Sequence, residues 1–258
     1  MNQSFYTAAV GAWQQQQRLN VHGNNIANVN NYGFKAKRPV FSDLMYGYVQ
    51  GAQQDEMPRG TGAYMVSADT DFHQSGFADT GRALDYAING DGFFALWDPS
   101  SGEYTYTRDG SFTMTQFWIP PAEDAAPEVD ENGEEIEPQP TSVWRLSDNQ
   151  GRCVLDPEGN FIVVDPDNQK APLELGVFDY AIHYGMQHAD SSRLLATDLN
   201  GQLYLGTGEV KQGLLEMSNT DLTQEFIKVI ESQRAFSYAL KMVITSDEIE
   251  STFNSLRG

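Results

Sequence analysis

The sequence predicts an α+β protein: terminal helices forming an antiparallel coiled-coil-like pair, with a central, mostly antiparallel β domain between them. Three observations carry this. Apolar and small residues recur at heptad spacing near both ends of the chain. The middle is made of short aromatic and β-branched runs separated by glycine-containing turns. An aromatic content of 12% over 258 residues favours β-rich structure over a plain helical bundle.

From Ser4 to about Ile26 the repeating positions are Phe5, Ala9, Ala12, Gln16, Leu19, Gly23 and Ile26. Their steps alternate between four and three, the spacing of a coiled-coil seam. Ser4 is placed to cap the helix, its hydroxyl accepting from an orphaned backbone N–H. Two alanines, a glutamine and a glycine dilute the seam, so such a helix is marginal alone in water.

The C-terminal helix is expected to start near Asp221, with a seam of Leu222, Phe226, Val229, Gln233, Phe236, Leu240 and Val243. Ile230 and Ile244 widen that stripe, and Lys228, Glu231, Arg234 and Lys241 fall opposite it. Thr245-Ser-Asp-Glu248 has the form of a capping box, so a break and restart is expected there. Paired antiparallel with Phe5 opposite Val243, the helices would bring Gln16 within a residue of Gln233. Two readings of these amides stay open: buried groups that fix register, or surface residues.

In the centre, Asp85–Ile88 leads through Asn-Gly-Asp-Gly into Phe93–Trp97. Tyr104–Thr107 follows, then Arg108-Asp-Gly110 and Ser111–Thr115, and later Cys153–Leu155, Phe161–Val164 and Leu203–Leu205. These read as strands, because Gly and Asn accept the positive φ of tight hairpin turns. The domains expected are thus a discontinuous helical assembly domain, residues 1–35 plus 219–258, and a β-rich domain, residues 36–218. A stretch at about 117–141 interrupts the latter. Between Pro120 and Pro140 it carries eight carboxylates and no basic residue, the composition of a solvated excursion.

The formal charge of −20 opposes binding to nucleic acid or an anionic membrane, which needs clustered Lys and Arg. The single cysteine, Cys153, excludes an internal disulfide; between β-formers it reads as buried strand filler. The N-terminus shows no signal-peptide pattern, and no apolar run approaches the ~20 residues that span a bilayer. His22, His73, His183 and His188 lack metal-ligand spacing, and Gly60-Thr-Gly62 lacks the third glycine of a dinucleotide loop. No cofactor, metal or catalytic residue is expected. The enzyme alternative is a secreted β-rich hydrolase with paired carboxylates, or else a binding module; the densest run of acidic residues sits where geometry cannot be held fixed.

Asn24-Asn-Ile-Ala-Asn-Val-Asn-Asn-Tyr-Gly-Phe-Lys35 resembles the signature of flagellar rod and hook proteins, carried here by Asn24, Asn25, Ala27, Asn28, Asn30, Gly33, Phe34 and Lys35. Ala87–Phe94 and Tyr106–Phe112 resemble that family's central β motifs. Gln212–Asn219, ending in Ser218 and Asn219, and then Gln233, Arg234 and Ala235 resemble its C-terminal signature. The blocks occur in family order over nearly the whole chain, and its length is most like a distal-rod or proximal-rod subunit, with a short hook-type subunit as alternative. The resemblance implies a non-enzymatic axial subunit of the basal body that self-associates into a helical tube and transmits torque. It also implies contact with other rod and hook subunits, and export through the flagellar type III apparatus without a cleaved leader. Assembly is expected to rest on Phe5, Leu19, Ile26, Leu222, Phe226, Val229, Phe236 and Leu240.

Overall fold

The computed structural model describes residues 3–50, 56–119, 128–129, 135–136, 141–169, 171–190 and 192–257. Most of the acidic stretch expected as an excursion lies outside the described residues. The chain forms two compact units, one of residues 1–30, 35–73 and 218–258, the other of residues 31–34 and 74–217. The division therefore differs from a break at 35/36: residues 35–73 join the helices, and 31–34 join the β-rich unit.

The first unit contains α1 (Gln3–Ala27), β1 (Lys37–Asp43), β2 (Gly47–Gln50), β3 (Glu56–Arg59), β4 (Ala63–Thr70) and α2 (Leu222–Arg257). Strands β1 and β4 pair antiparallel from Lys37↔Thr70 to Asp43↔Ala63, with a bulge between Val40 and Phe41, and β2 pairs β3 antiparallel. Amide side chains on α1 explain why this ribbon belongs with the helices. Gln14 Oε1 accepts from the Met65 amide at 2.7 Å. Asn25 behaves like a strand neighbour to Lys37, accepting from its N–H at 2.9 Å and donating to its carbonyl at 2.8 Å. Three backbone groups of the ribbon are thereby satisfied from the helix.

Helix α2 begins as expected: the Asp221 carboxylate accepts from the amides of Thr223 (2.9 Å) and Gln224 (3.2 Å). It then runs 36 residues with no break at Thr245–Glu248, correcting the capping-box reading. Ser4 is likewise inside α1 and not its cap. Its hydroxyl lies 3.2 Å from that of Ser246, so both serines are used between the helices rather than at helix ends.

The second unit is built from β5 (Phe77–Asp79), β6 (Tyr86–Asn89), β7 (Phe93–Trp97), β8 (Tyr104–Thr107), β9 (Thr113–Ile119), β10 (Glu128–Val129), β11 (Glu135–Ile136) and β12 (Thr141–Ser147). It continues with β13 (Cys153–Val154), β14 (Val177–Tyr180), β15 (Gln187–His188), β16 (Arg193–Leu195), β17 (Leu203–Leu205), β18 (Glu209–Gln212) and β19 (Leu214–Glu216). A nine-stranded sheet runs β15-β16-β8-β7-β13-β12-β9, with β14 also on β7 and β17 on β14; β18 pairs β6, and β19 pairs β5. Every pairing between described strands is antiparallel.

Tyr86, Ile88, Phe94, Leu96, Phe112, Leu146 and Val154 form the heart of the core, with the Phe94 and Phe112 rings edge-to-face at 5.2 Å. Cys153 is fully buried on β13, and burial pushes its thiol up. Phe161–Val164, expected as a strand, makes only the isolated bridges Leu155↔Phe161 and Arg145↔Val163. The edges of the acidic stretch are better ordered than its composition suggests. Strand β9 continues to Ile119 and pairs Thr141 at the start of β12, and β10 pairs β11.

Candidate assembly interface

The two terminal helices pack antiparallel. Ser4 meets Ser246, Arg18 Nη2 lies 3.7 Å from Glu231 Oε2, and His22 Nδ1 lies 2.7 Å from Glu225 Oε2. The sum of partner numbers in these three pairs is 250, 249 and 247, close to the 248 set by placing Phe5 opposite Val243. The face turned inward is only partly the predicted apolar seam: Ala12 is buried on α1, while the large seam residues are half-buried or exposed. On α2 the buried residues are Glu225, Ser232 and Ser246, spaced by seven and fourteen. On α1, Ser4, Arg18 and Asn25 share one heptad position, with His22 beside them. Small and polar side chains line the contact.

The large residues are displaced by one position, and the physical reason is size. Helices touching through serine and alanine leave no room between them for Phe or Leu. Val229 and Phe236 flank the contact half-buried, as do Phe5, Leu19 and Ile26 on α1. Leu222, Phe226 and Leu240 are 41%, 50% and 41% exposed, and Ile227, Ile230 and Ile244 stand out with them. Gln16 and Gln233 are both exposed, which favours the surface reading of that pair over the buried one.

At the end of the hairpin near the ribbon lies a buried polar cluster that periodicity does not announce. Glu225 accepts from His22, from Asn25 Nδ2 at 3.2 Å and from Lys228 Nζ at 2.9 Å. Burial pushes its carboxyl up, but the hydrogen bonds from Lys228, His22 and Asn25 outweigh this and hold it below the usual carboxylate range. Asn25 also binds Lys37, so one amide connects α1, α2 and β1. The signal available in the sequence was the heptad Glu225, Ser232, Ala239, Ser246, hidden because attention goes to large apolar residues.

The signature residues divide between the units. Asn28 Nδ2 donates to the Asn24 carbonyl at 2.8 Å and helps end α1; Ala27 closes that helix, and Asn30 is exposed. Lys35 is buried and donates to the His73 carbonyl at 2.9 Å. Asn219 binds three backbone groups: it accepts from Ala36 N–H (2.7 Å) and donates to the carbonyls of Asp71 (2.7 Å) and His73 (3.1 Å). Ser218 donates to the Thr220 hydroxyl at 3.0 Å. On α2, Gln233 and Arg234 are exposed and Ala235 is half-buried.

Gly33 and Phe34 anchor in the β-rich unit. Gly33 has φ +65°, its N–H donates to the Glu216 carbonyl at 2.8 Å, and a Cβ there would stand 2.3 Å from Asp109 N. Phe34 is buried. Close by, the buried pair Arg108–Glu216 has Nη1 3.3 Å from Oε2. Glu216 also accepts from Ser75 N–H at 3.1 Å; Arg108 donates to the Gly90 carbonyl at 2.9 Å and lies over the Phe93 ring. The motif Tyr106–Phe112 thus holds the ends of its own unit together.

A discontinuous helical hairpin with small and polar buried positions and exposed large apolar residues, bracketing a β-rich unit in sequence, has the build of a structural protein and not of a catalytic one. The comparisons make this specific. Residues 5–35 match the family model for flagella basal body rod protein, residues 87–118 that for the flagellar hook protein FlgE/F/G D1 domain, and residues 211–256 that for the flagellar basal body rod FlgEFG protein C-terminal region. The chain is 33% identical to the flagellar basal-body rod protein FlgG of Bacillus subtilis, over 96% of this chain and 97% of that one. It is 29% identical to FlgG of Borreliella burgdorferi, over 100% and 99%. With the rod protein FlgF of Caulobacter vibrioides it shares 28%, over 96% and 95%. The chain belongs to the flagellar basal-body rod protein family. It is a structural component of the bacterial flagellum, one of a set of rod and hook subunits, and not an enzyme.

Proposed function

We propose that this chain polymerises through its terminal helices into the tubular rod, receives its neighbours on the outer face of α2, and passes torque from motor to hook. The observation that carries this is the inversion of the hairpin: polar inside, with Leu222, Phe226, Ile227, Ile230 and Leu240 exposed. Exposed apolar surface on this scale stabilises an assembly in which neighbours cover it. Within that reading Phe5, Leu19, Ile26, Val229 and Phe236 work at the rim, packing both within a subunit and against the next. The route to the growing tip is the flagellar type III apparatus. A hairpin held by one polar cluster and small side chains opens for passage at low cost and is completed by its neighbours.

The test is a strain lacking the gene, complemented with Phe226→Glu and Ile230→Glu and viewed by electron microscopy of basal bodies alongside a swimming assay. Exported subunit, basal bodies stalled without a completed rod and non-motile cells are the expected result. A finished rod lacking the hook would move the protein one level outward. Normal rods and swimming would remove the helices from the assembly contact.

A further inference from the structure

The β-rich unit contains a part that its apolar core does not hold. Strands β5 and β19 pair with each other, from Phe77↔Glu216 to Asp79↔Leu214, and neither joins the nine-stranded sheet. Residues 31–34 join this ribbon through Gly33, whose N–H donates to the Glu216 carbonyl at 2.8 Å. No residue of 31–34, 74–79 or 214–217 belongs to the core cluster around Tyr86, Phe94 and Leu146; Phe34 and Leu215 are buried, but outside it. The same three segments contain every point at which the chain passes between its two units, after residues 30, 34, 73 and 217. Whatever load the backbone carries from one unit to the other enters the β-rich unit here.

The ribbon is fastened by polar groups at its two ends. At one end Glu216 is fully buried and gathers the three segments. Its carbonyl takes Gly33 N–H, its Oε1 takes Ser75 N–H at 3.1 Å, and Met217 N–H, next along, donates to the Gly76 carbonyl at 2.9 Å. Its Oε2 lies 3.3 Å from Nη1 of Arg108, which directly follows β8 of the large sheet and is itself fixed on the Gly90 carbonyl. At the other end buried Asp85 accepts from the Thr80 hydroxyl at 2.6 Å, and its carbonyl takes Gly213 N–H at 2.8 Å. A buried ion pair adds little net stability, because desolvation offsets much of the attraction. A ribbon held in this way, outside the apolar cluster, opens at a lower free energy than the sheet to which it is fastened.

We infer that segments 31–34, 74–79 and 214–217 form a strap that opens and closes as one body, latched by Arg108 and Glu216, and that the β-rich unit first yields to torque at this strap. The single latch accounts for the unity. Glu216 cannot leave its site without releasing Gly33 and Ser75, and Arg108 loses its counter-charge in the same event. Opening is therefore one cooperative step and not three independent frayings. The role under torque rests on the function proposed above. The cooperative opening does not, and it is measurable on the free subunit.

The first experiment is native-state hydrogen exchange by NMR on the purified full-length chain, over a series of low urea concentrations. The amides of Gly33, Ser75 and Met217 are expected to share one opening free energy and one urea dependence. Both should lie below those of Leu146 and Leu155, whose N–H groups bond to Ile162 and Ala95. Glu216→Gln should speed all three amides alike, by on the order of 100-fold. Three separate urea dependences, or one shared with Leu146 and Leu155, overturn the strap. The second experiment uses cells lacking the gene, complemented with Glu216→Gln or the milder Arg108→Lys. Complete rods and swimming in dilute medium are expected, with swimming lost at a viscosity that native cells tolerate. An unchanged viscosity limit overturns the role under torque. Absence of rods with both variants overturns it too, because the latch is then needed for assembly itself. Normal rods with Phe226→Glu and Ile230→Glu would count against the helical reading and leave the exchange result standing.

Discussion

The Arg108–Glu216 pair makes a quantitative test of how the β-rich unit is held. Both side chains are buried, with Arg108 also on the Gly90 carbonyl and the Phe93 ring and Glu216 also on Ser75 N–H. Replacing Glu216 by Leu leaves a buried guanidinium without its counter-charge, and the expected loss is about 3–5 kcal/mol. Arg108→Met leaves a buried carboxylate and should cost a similar amount. In the double variant neither charge remains. What persists is the weakened pairing of Ser75 N–H and the Gly90 carbonyl, about 1–3 kcal/mol each. The midpoints of these ranges put the two singles at about 8 kcal/mol together and the double at about 4, so a coupling of about 4 kcal/mol is expected. Urea unfolding of the full-length chain, followed by tryptophan fluorescence, measures all four corners of the cycle. Additive losses would refute the reasoning and make Arg108 and Glu216 independent packing residues.

Three more predictions concern the signature residues and the hairpin. Gly33→Ala combines a left-handed backbone with a Cβ 2.3 Å from Asp109 N, so a loss of about 2–5 kcal/mol is expected in the same unfolding assay, and a neutral effect would disprove the close approach. Asn219→Ala removes three hydrogen bonds to backbone and should cost about 1–3 kcal/mol, seen as faster hydrogen exchange at Ala36. The folded-state pKa of Glu225 is depressed, so its contribution is present above the unfolded carboxylate value of about 4.3 and is lost as pH falls through the folded value. Helix content followed by circular dichroism should therefore fall below about pH 4 in the native chain, and Glu225→Gln should flatten that dependence; an unchanged acid profile would remove Glu225 as the group responsible.

Much of the fold was legible because its signals are local. The glycine-punctuated runs around Phe93–Trp97 and Tyr104–Thr107 became strands at those residues, and Asp221 became the cap of α2. The register of the hairpin was legible too, since it follows from two heptad repeats running in opposite directions. Its facing was not. Large apolar residues mark a buried stripe in most helices, but here Leu222, Phe226 and Leu240 are left outside, Val229 and Phe236 only flank the contact, and the buried positions of α2 went to Ser232, Ser246 and Glu225. Thr245–Glu248 misled for a related reason: a capping box is a local preference, and the contact of Ser246 with Ser4 overrides it. The pairing of Arg108 with Glu216 has no periodic trace, and that of His22 with Glu225 shows only through the heptad of small and polar residues that contains Glu225.

The distribution of charge links these features to assembly. Of the formal −20, the helical unit holds only −2, from nine basic and 11 acidic residues, against −18 on the β-rich unit. In the assembly proposed above, the helical faces of different copies meet with little net repulsion, and burial of the exposed Phe226, Ile227 and Ile230 acts unopposed. The β-rich units repel at a range set by the Debye length, about 8 Å at physiological ionic strength. This disfavours association through them alone. On the proposed reading, charge on the β-rich unit resists premature clustering of free subunits, and apolar surface on the helical unit drives growth.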